Sequence, residues 1–281
     1  MSFASSFKAV VRQKDTKIFL YEITLSEMKK KFNLLHSTIE KPEYIDLGGR
    51  KVFRYKNKSA NIAMIQYMAR VISGLYSAKL LIENTFIQEC NTLYRTIDEF
   101  NQNILFLSFS LIDNETIKLQ QTFLDNFFQE EFDNPENAFL STQKRGMVPR
   151  NKIRAYISQR SENSVNPSDT QKNSETIDKF YSGFIHGTSV SIIDMYSDNP
   201  SQYHLNGVSN EAPSVNLAKQ YFEDRLYESI LSLLFIALSF KENDIFEDIQ
   251  SLRFRFEKQT SRDIYEDPNI GIKRMKLKKL G

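Results

Sequence analysis

The sequence predicts an all-α protein, a multi-helix bundle of five to seven helices with a small N-terminal β-hairpin. Glycine and proline are scarce, at 9 and 7 of 281 residues, which favours helices over a sandwich or barrel. Apolar residues recur at steps of three and four through several long segments, as on one face of a helix. Two adjacent glycines, Gly48 and Gly49, separate two short β-prone segments and predict a hairpin there.

The chain is predicted to have three parts. Residues 1–60 form an N-terminal arm, a helix and the hairpin, residues 61–260 form the helical bundle, and residues 261–281 form a basic tail. The last eleven residues carry five basic side chains and no acid, so the tail is either a disordered end or an arm that binds a partner.

In the N-terminal part, residues 17–24 are predicted to form a strand or an irregular arm. Thr24 and Glu27 then have the spacing of a capping box, which predicts a helix that starts there and ends near Glu40, before Pro42.

Basic residues of the hairpin and of the 144–160 segment are candidates for nucleic-acid binding. On the hairpin they either contact phosphates or form a solvated face. The candidates are Arg50, Lys51, Arg54, Lys152 and Arg154.

The chain is organised around a central apolar helix predicted over residues 80–112. Arg95 points nearly opposite its apolar stripe, with Glu99 one turn later and Asp98 as a second possible partner. A preceding helix at 61–77 either continues into it or breaks near Ser73 and Gly74. An unbroken helix from 61 to 112 would be roughly 75 Å long, so we expect a break or a bend.

Further elements are predicted in order along the rest of the chain. These are a helix after Asp113 ending near Phe132, a short helix at 151–158, a flexible loop at 161–174, a helix at 175–196, a loop at 197–214 that contains His204, and helices at 215–240 and 244–259.

Several functional classes are not supported by the sequence. It contains no GxxxxGK[ST] or GxGxxG loop, no HExxH and no GxSxG elbow. Cys90 is the single cysteine and lies on an apolar stripe, so neither an intrachain disulfide nor a multi-cysteine metal site is possible. We expect no cofactor, no metal and no membrane span, and a cytoplasmic protein.

The segment LYRTIDEF at 93–100 resembles the LLR-x-x-x-E helix of a bacterial helical-bundle family of unknown function. That family carries a later Tyr-x-x-x-x-His-Gly/Pro-Ser/Thr pattern, which is similar to residues 181–188 here and places His186 at its histidine. The resemblance covers about residues 62–239. The family is similar in architecture to HEPN domains, which are dimeric helical bundles, many of them ribonucleases of bacterial toxin and anti-phage systems.

The resemblance implies a HEPN-like defence or toxin protein with ribonuclease activity as a candidate function, and with Arg95, Asp98, Glu99 and His186 as candidate catalytic residues. This sequence departs from HEPN ribonucleases, because no histidine follows an arginine by four to six residues. Histidine and arginine could supply the proton acceptor and the cation for RNA cleavage only if the fold brings Arg95 and His186 together. The alternatives are a structural Arg–Glu pair and a non-catalytic module that dimerises or binds a partner.

A homodimer is expected from two surfaces. The first is a face of small residues, Ser182, Gly183 and Ser189, that lets another helix approach closely, and the second is the apolar segment at 231–238. RNA or a partner protein of the same system is the other possible partner.

Overall fold

The computed structural model describes residues 3–114, 117–144, 146–160, 167–198 and 200–261. These ranges contain nine α-helices and two small antiparallel sheets: α1 Phe3–Ser37, β1 Glu43–Leu47, β2 Arg50–Arg54, α2 Ala60–Glu83, α3 Ile87–Asp113, α4 Lys118–Phe127, α5 Arg150–Arg160, α6 Pro167–Ile185, α7 Ser189–Ile192, β3 Tyr196–Asp198, β4 Ser201–Tyr203, α8 Pro213–Phe240 and α9 Asn243–Thr260. The predicted fold class, an all-α bundle with a small hairpin, is confirmed. The helices outnumber the predicted five to seven, partly because the segment predicted as one helix at 175–196 is divided into α6 and α7.

Helices α2, α3 and α8 form the centre of the bundle, with α1 and α9 packed on one side and α5 and α6 on another. Their inward faces carry long apolar side chains at helical spacing, and burying these side chains is the main stabilising contribution. The completely buried ones include Met68, Leu75, Ile104, Leu107, Phe222 and Leu233. No helix among the described residues is long and apolar enough to cross a bilayer.

Helix α1 is continuous where the sequence predicted a strand at 17–24 followed by a helix start at Thr24. That prediction was wrong, because Thr24 is buried within α1 and does not cap it. Tyr21, Leu25 and Met28 lie on one face of the helix and join the core beside α2 and α9. The residues at 17–24 are therefore helical despite their β propensity, because the apolar stripe of the helix packs against α2 and α9.

The central helix begins at Ile87, and the break that separates it from α2 lies at residues 84–86 rather than near Gly74. Gly74 is inside α2, where a Cβ would lie 3.1 Å from Cγ1 of Ile97, so the glycine serves close packing of α2 on α3. At the break, Thr85 has φ 58° and its hydroxyl donates to the carbonyl of Val208 at 2.7 Å. A loop more than 120 residues away in sequence thus fixes the break.

The hairpin of β1 and β2 forms as predicted, with Tyr44 opposite Phe53. Gly48 and Gly49 both have positive φ, at 59° and 79°, which suits the two-residue turns that join twisted strands. Asp46 completes the turn by accepting a hydrogen bond from the amide of Gly49 at 2.8 Å.

The predicted helix at 175–196 ends at Ile185, because Gly187 adopts φ 63° and turns the chain back into α7. A Cβ at Gly183 would lie 2.6 Å from Oγ of Ser191, so α7 of the same chain packs against Gly183, and Ser189, predicted to share its face, belongs to α7. Residue 195 is therefore not on the α6 stripe, and part of the predicted loop at 197–214 forms the β3–β4 hairpin.

The remaining predictions have mixed outcomes. The helix after Asp113 ends at Phe127, five residues before Phe132, whereas the helices at 151–158, 215–240 and 244–259 are confirmed within a few residues. Of the predicted flexible loop, residues 167–174 are part of α6 and residues 161–166 lie outside the described residues, as does the tail at 262–281. The apolar segment at 231–238, expected to contribute to a dimer, is largely buried inside the bundle.

Cys90 offers a test of the core, because its thiol is completely buried and burial raises its pKa to about 12. Only the thiolate is nucleophilic, so the folded protein is expected to be inert to iodoacetamide at pH 8 and to react fully once unfolded in guanidinium. Mass spectrometry after timed alkylation measures this directly. Rapid labelling of the native protein would contradict the packing of α3 against α2.

Candidate functional site

Arg95 lies midway along α3 and connects it to α6. Its Nη1 is 3.3 Å from Oε2 of Glu99 on the same helix and 3.2 Å from Oδ1 of Asp178 on α6. The pair predicted from the four-residue spacing is therefore present. The Arg95 side chain is 15% exposed and that of Glu99 39%, so Arg95 is enclosed while Glu99 reaches the surface.

Asp98 belongs to a deeper ion pair with Arg225 of α8. Nη1 of Arg225 lies 2.6 Å from Oδ1 of Asp98, and the arginine side chain is only 4% exposed. Gln102 donates to the other carboxylate oxygen of Asp98 at 2.8 Å, and Glu228 lies 2.9 Å from the same Nη1 of Arg225. Burial acts to lower the pKa of Arg225, but Glu228 and Asp98 outweigh it, so that pKa lies above its ordinary value.

Two arginines of α5 join these groups from a third side. Arg154 contacts Asp178, and Arg150 donates to the side-chain oxygens of Asn103 and Gln102 at 2.6 and 2.7 Å. Burial lowers the pKa of Arg150, and burial together with the neighbouring arginines lowers that of Arg154. Helix α5 is thereby tied to both α3 and α6.

We call these eight side chains the ionic cluster: Arg95, Arg150, Arg154, Arg225, Asp98, Glu99, Asp178 and Glu228. Four cations face four carboxylates, so the cluster is formally neutral. A site that binds phosphate or stabilises a developing negative charge needs uncompensated cations. The cluster instead has the composition of a structural network that joins α3, α5, α6 and α8.

His186 lies just beyond the end of α6 and is exposed. It follows Asp178 by eight residues, which places it roughly 12 Å further along the helix from the contact with Arg95. Helix α6 runs antiparallel to α3, since the side chain of Gln88, at the start of α3, donates to the carbonyl of Ser191 at 2.6 Å. No hydrogen bond or ion pair among the described residues joins His186 to Arg95, so the two side chains are not in direct polar contact.

The predicted nucleic-acid cations divide into two groups. Arg50, Lys51 and Lys152 are exposed, whereas Arg154 is buried against Asp178. Arg54 makes a two-pronged contact with Glu130, with nitrogen–oxygen distances of 2.5 and 2.6 Å, and this hydrogen-bonded contact lowers the pKa of the glutamate.

A large apolar surface lies around α7, and we call it the charge-poor face. Its members are exposed by 39–80%: Phe180, Ile185, Val190, Ile192, Ile193, Tyr196, Tyr203 and Leu205. At about 200 Å² for a large side chain, these fractions amount to on the order of 800 Å² of exposed apolar area. That exceeds the 300–600 Å² of the largest apolar patch on a typical monomer.

Two cavities that share Asp194 lie within the charge-poor face. Phe180, Val190 and His186 line a groove of about 420 Å³ that also includes Asp194, and Asp194 and Leu205 line the neighbouring cleft. No lysine or arginine occurs between positions 180 and 218, although 37 of 281 residues are basic, which would place about five in a stretch of 39. Depletion of lysine is one compositional mark of the buried centre of a protein–protein interface, and the acids of this stretch are Asp194, Asp198 and Glu211.

Sequence reasoning missed both Arg225 and the charge-poor face. A signal existed for each: Arg225 is a charged residue on the inward side of a strongly apolar helix, and the run without basic residues can be counted directly. Asp178 was missed because it follows no motif and is recognised only by its distance from two arginines.

Within the described residues, no three histidine, cysteine, aspartate or glutamate side chains come together as a metal site would require. Comparison of the chain with protein-family models, with curated proteins and with solved structures finds no match.

Because of the ionic cluster, removal of one of its buried carboxylates is expected to lower the free energy of unfolding substantially. Asp178→Ala leaves Arg154 buried without its partner and removes one of the two partners of Arg95, and stranding buried charge costs about 3–5 kcal/mol. Arg95→Ala is expected to cost less, because Arg154 still pairs with Asp178. Urea unfolding followed by circular dichroism measures both free energies.

Glu130→Ala is the matched control, because it removes a carboxylate from the half-exposed pair with Arg54. Such a pair contributes less than about 1 kcal/mol. Equal losses for Asp178→Ala and Glu130→Ala would contradict a structural role for the cluster.

Proposed function

We propose that this chain is a non-catalytic helical interaction module that binds a second copy of itself through the charge-poor face. The observation that carries the proposal is the exposure of on the order of 800 Å² on apolar residues around α7, which matches the roughly 800 Å² that each partner contributes to a standard interface. Removing an apolar area of this size from water lowers the free energy of the associated state.

Charge complementarity favours a second copy as the occupant. The groove beside Val190 is lined by Lys179 and His186 and also by Asp194. In a two-fold dimer the same patch faces itself, so a cation of one copy can meet Asp194 of the other. The low number of charges elsewhere on the face leaves few that would be buried unpaired.

This proposal does not use the two surfaces from which the sequence predicted a dimer. The segment at 231–238 is used inside the bundle, and Gly183 is covered by α7 of the same chain. The proposed interface is instead formed by the exposed apolar side chains around α7, and it does not depend on either earlier argument.

The test is the molar mass in solution of the wild type and of Val190→Asp, measured by light scattering at about 50 µM. The wild type is expected to have twice the 32.8 kDa of the chain, and the variant is expected to be a monomer, because a carboxylate would be buried without a partner. Val190 is 79% exposed, so the fold itself should tolerate the change.

Phe139→Asp is the control, since Phe139 is fully exposed but lies outside the charge-poor face. It should leave the dimer intact. A monomeric wild type at this concentration, or equal dissociation by both variants, would contradict a second copy as the partner.

A ribonuclease is the second candidate, and one observation favours it. His186 is exposed and shares its groove with Lys179, so a proton acceptor and a cation line one cavity. Against it stand the lack of a direct contact between His186 and Arg95 and the absence of any lysine or arginine from 180 to 218, because RNA binding needs several cations near the phosphates.

Incubation with total RNA separates the two candidates. If the groove is a ribonuclease site, the wild type and the His36→Ala variant would both cleave RNA. The His186→Ala variant would not cleave RNA, and its melting temperature would be unchanged. The interaction module predicts that none of the three proteins cleaves RNA. Cleavage that disappears only with His186→Ala would make the ribonuclease the better account.

A further inference from the structure

The β1–β2 hairpin carries an aromatic pair on its outer face. Tyr44 and Phe53 are cross-strand partners whose ring centroids lie 3.9 Å apart, with 29° between the ring planes. Both remain exposed, at 65% and 54%. The two rings therefore stack on each other, and the bundle leaves part of their surface exposed to solvent.

Basic residues are concentrated in β2 and just after it. The nine residues from 50 to 58, RKVFRYKNK, contain five basic residues and no acid. Lys51 lies on the same face of the hairpin as Phe53, opposite Asp46 on β1, whereas Arg50 lies on the other face at the turn, because residues two apart on a strand point the same way. Arg50 and Lys51 are exposed and form no ion pair with a described residue, so their charges are available to a ligand.

A groove of about 700 Å³ continues this surface between the hairpin and the end of α4. Phe53, Tyr55 and Phe128 line it together with Lys56 and Lys58. Glu43, Glu130 and Glu131 also line the groove, with Glu130 bound to Arg54 and Glu43 lying 3.4 Å from Lys56. These carboxylates disfavour phosphate inside the groove and leave the Arg50–Lys51 side as the place for it.

We propose that the hairpin binds single-stranded nucleic acid, with a base stacked on the Phe53–Tyr44 pair, a phosphate at Lys51 on the same face, and Arg50 at the turn beside the continuing backbone. Unpaired bases have open faces that stack on aromatic side chains, while a cationic edge follows the backbone. This surface has the opposite chemistry to the charge-poor face, which has no lysine or arginine from 180 to 218. The inference therefore does not depend on the proposed dimer.

The test is fluorescence anisotropy with labelled oligo(rU) and oligo(dT) of about 12 nucleotides at about 50 mM salt, where phosphate contacts are strongest. Wild-type protein is expected to bind at micromolar concentration, and a difference between the two oligomers distinguishes RNA from DNA. Phe53→Ala should weaken binding about tenfold, the scale of one stacked base. Lys51→Glu should weaken binding and reduce its dependence on salt.

Phe254→Ala is the matched control, because Phe254 is a 43% exposed phenylalanine on α9. It should bind as the wild type does. If Phe53→Ala disturbs the hairpin, Lys51→Glu still tests the proposal, because it changes only a charged side chain. Absence of binding up to about 100 µM protein at low salt would overturn the proposal. Equal binding by Phe53→Ala and Phe254→Ala would overturn it as well, as would a duplex that binds as tightly as the single strand.

Discussion

The buried ion pair between Asp98 of α3 and Arg225 of α8 is the contact on which the arrangement of this bundle depends. Apolar packing alone is non-directional and tolerates helices that slide or rotate, whereas a buried charge is very costly in any arrangement that separates it from its partner. The pair therefore fixes the register of α3 against α8. Asp178 extends the same constraint to α5 and α6, because it contacts both Arg95 and Arg154.

This constraint also explains why we assign function to the surface rather than to the interior. Every arginine of the ionic cluster is compensated by a carboxylate or an amide oxygen, so the cluster presents no free cation to a substrate. The features that remain open to solvent are the charge-poor face and the basic, aromatic hairpin. Their compositions differ sharply, since residues 50–58 contain five basic residues and residues 180–218 contain none.

The sequence predicted contacts between residues that are close along the chain, but it did not predict contacts between residues far apart along the chain. The Arg95–Glu99 pair and the turn at Gly48–Gly49 follow from spacings of a few residues, and both are present. The pairing of Asp98 with Arg225 spans 127 residues, and the break at Thr85 depends on Val208. A single sequence contains no signal for such contacts, which is why the cluster's partners and the position of the break were not predicted.

A double-mutant cycle on Asp98 and Arg225 tests the central claim most directly, with unfolding free energies measured in urea. Asp98→Leu and Arg225→Met are each expected to cost about 3–5 kcal/mol, because the first leaves the buried Arg225 with only the partly exposed Glu228 and the second leaves Asp98 without its ion-pair partner. The double variant should cost at least about 2 kcal/mol less than the sum of the two. Single losses below about 1 kcal/mol that simply add would contradict a structural role for the pair.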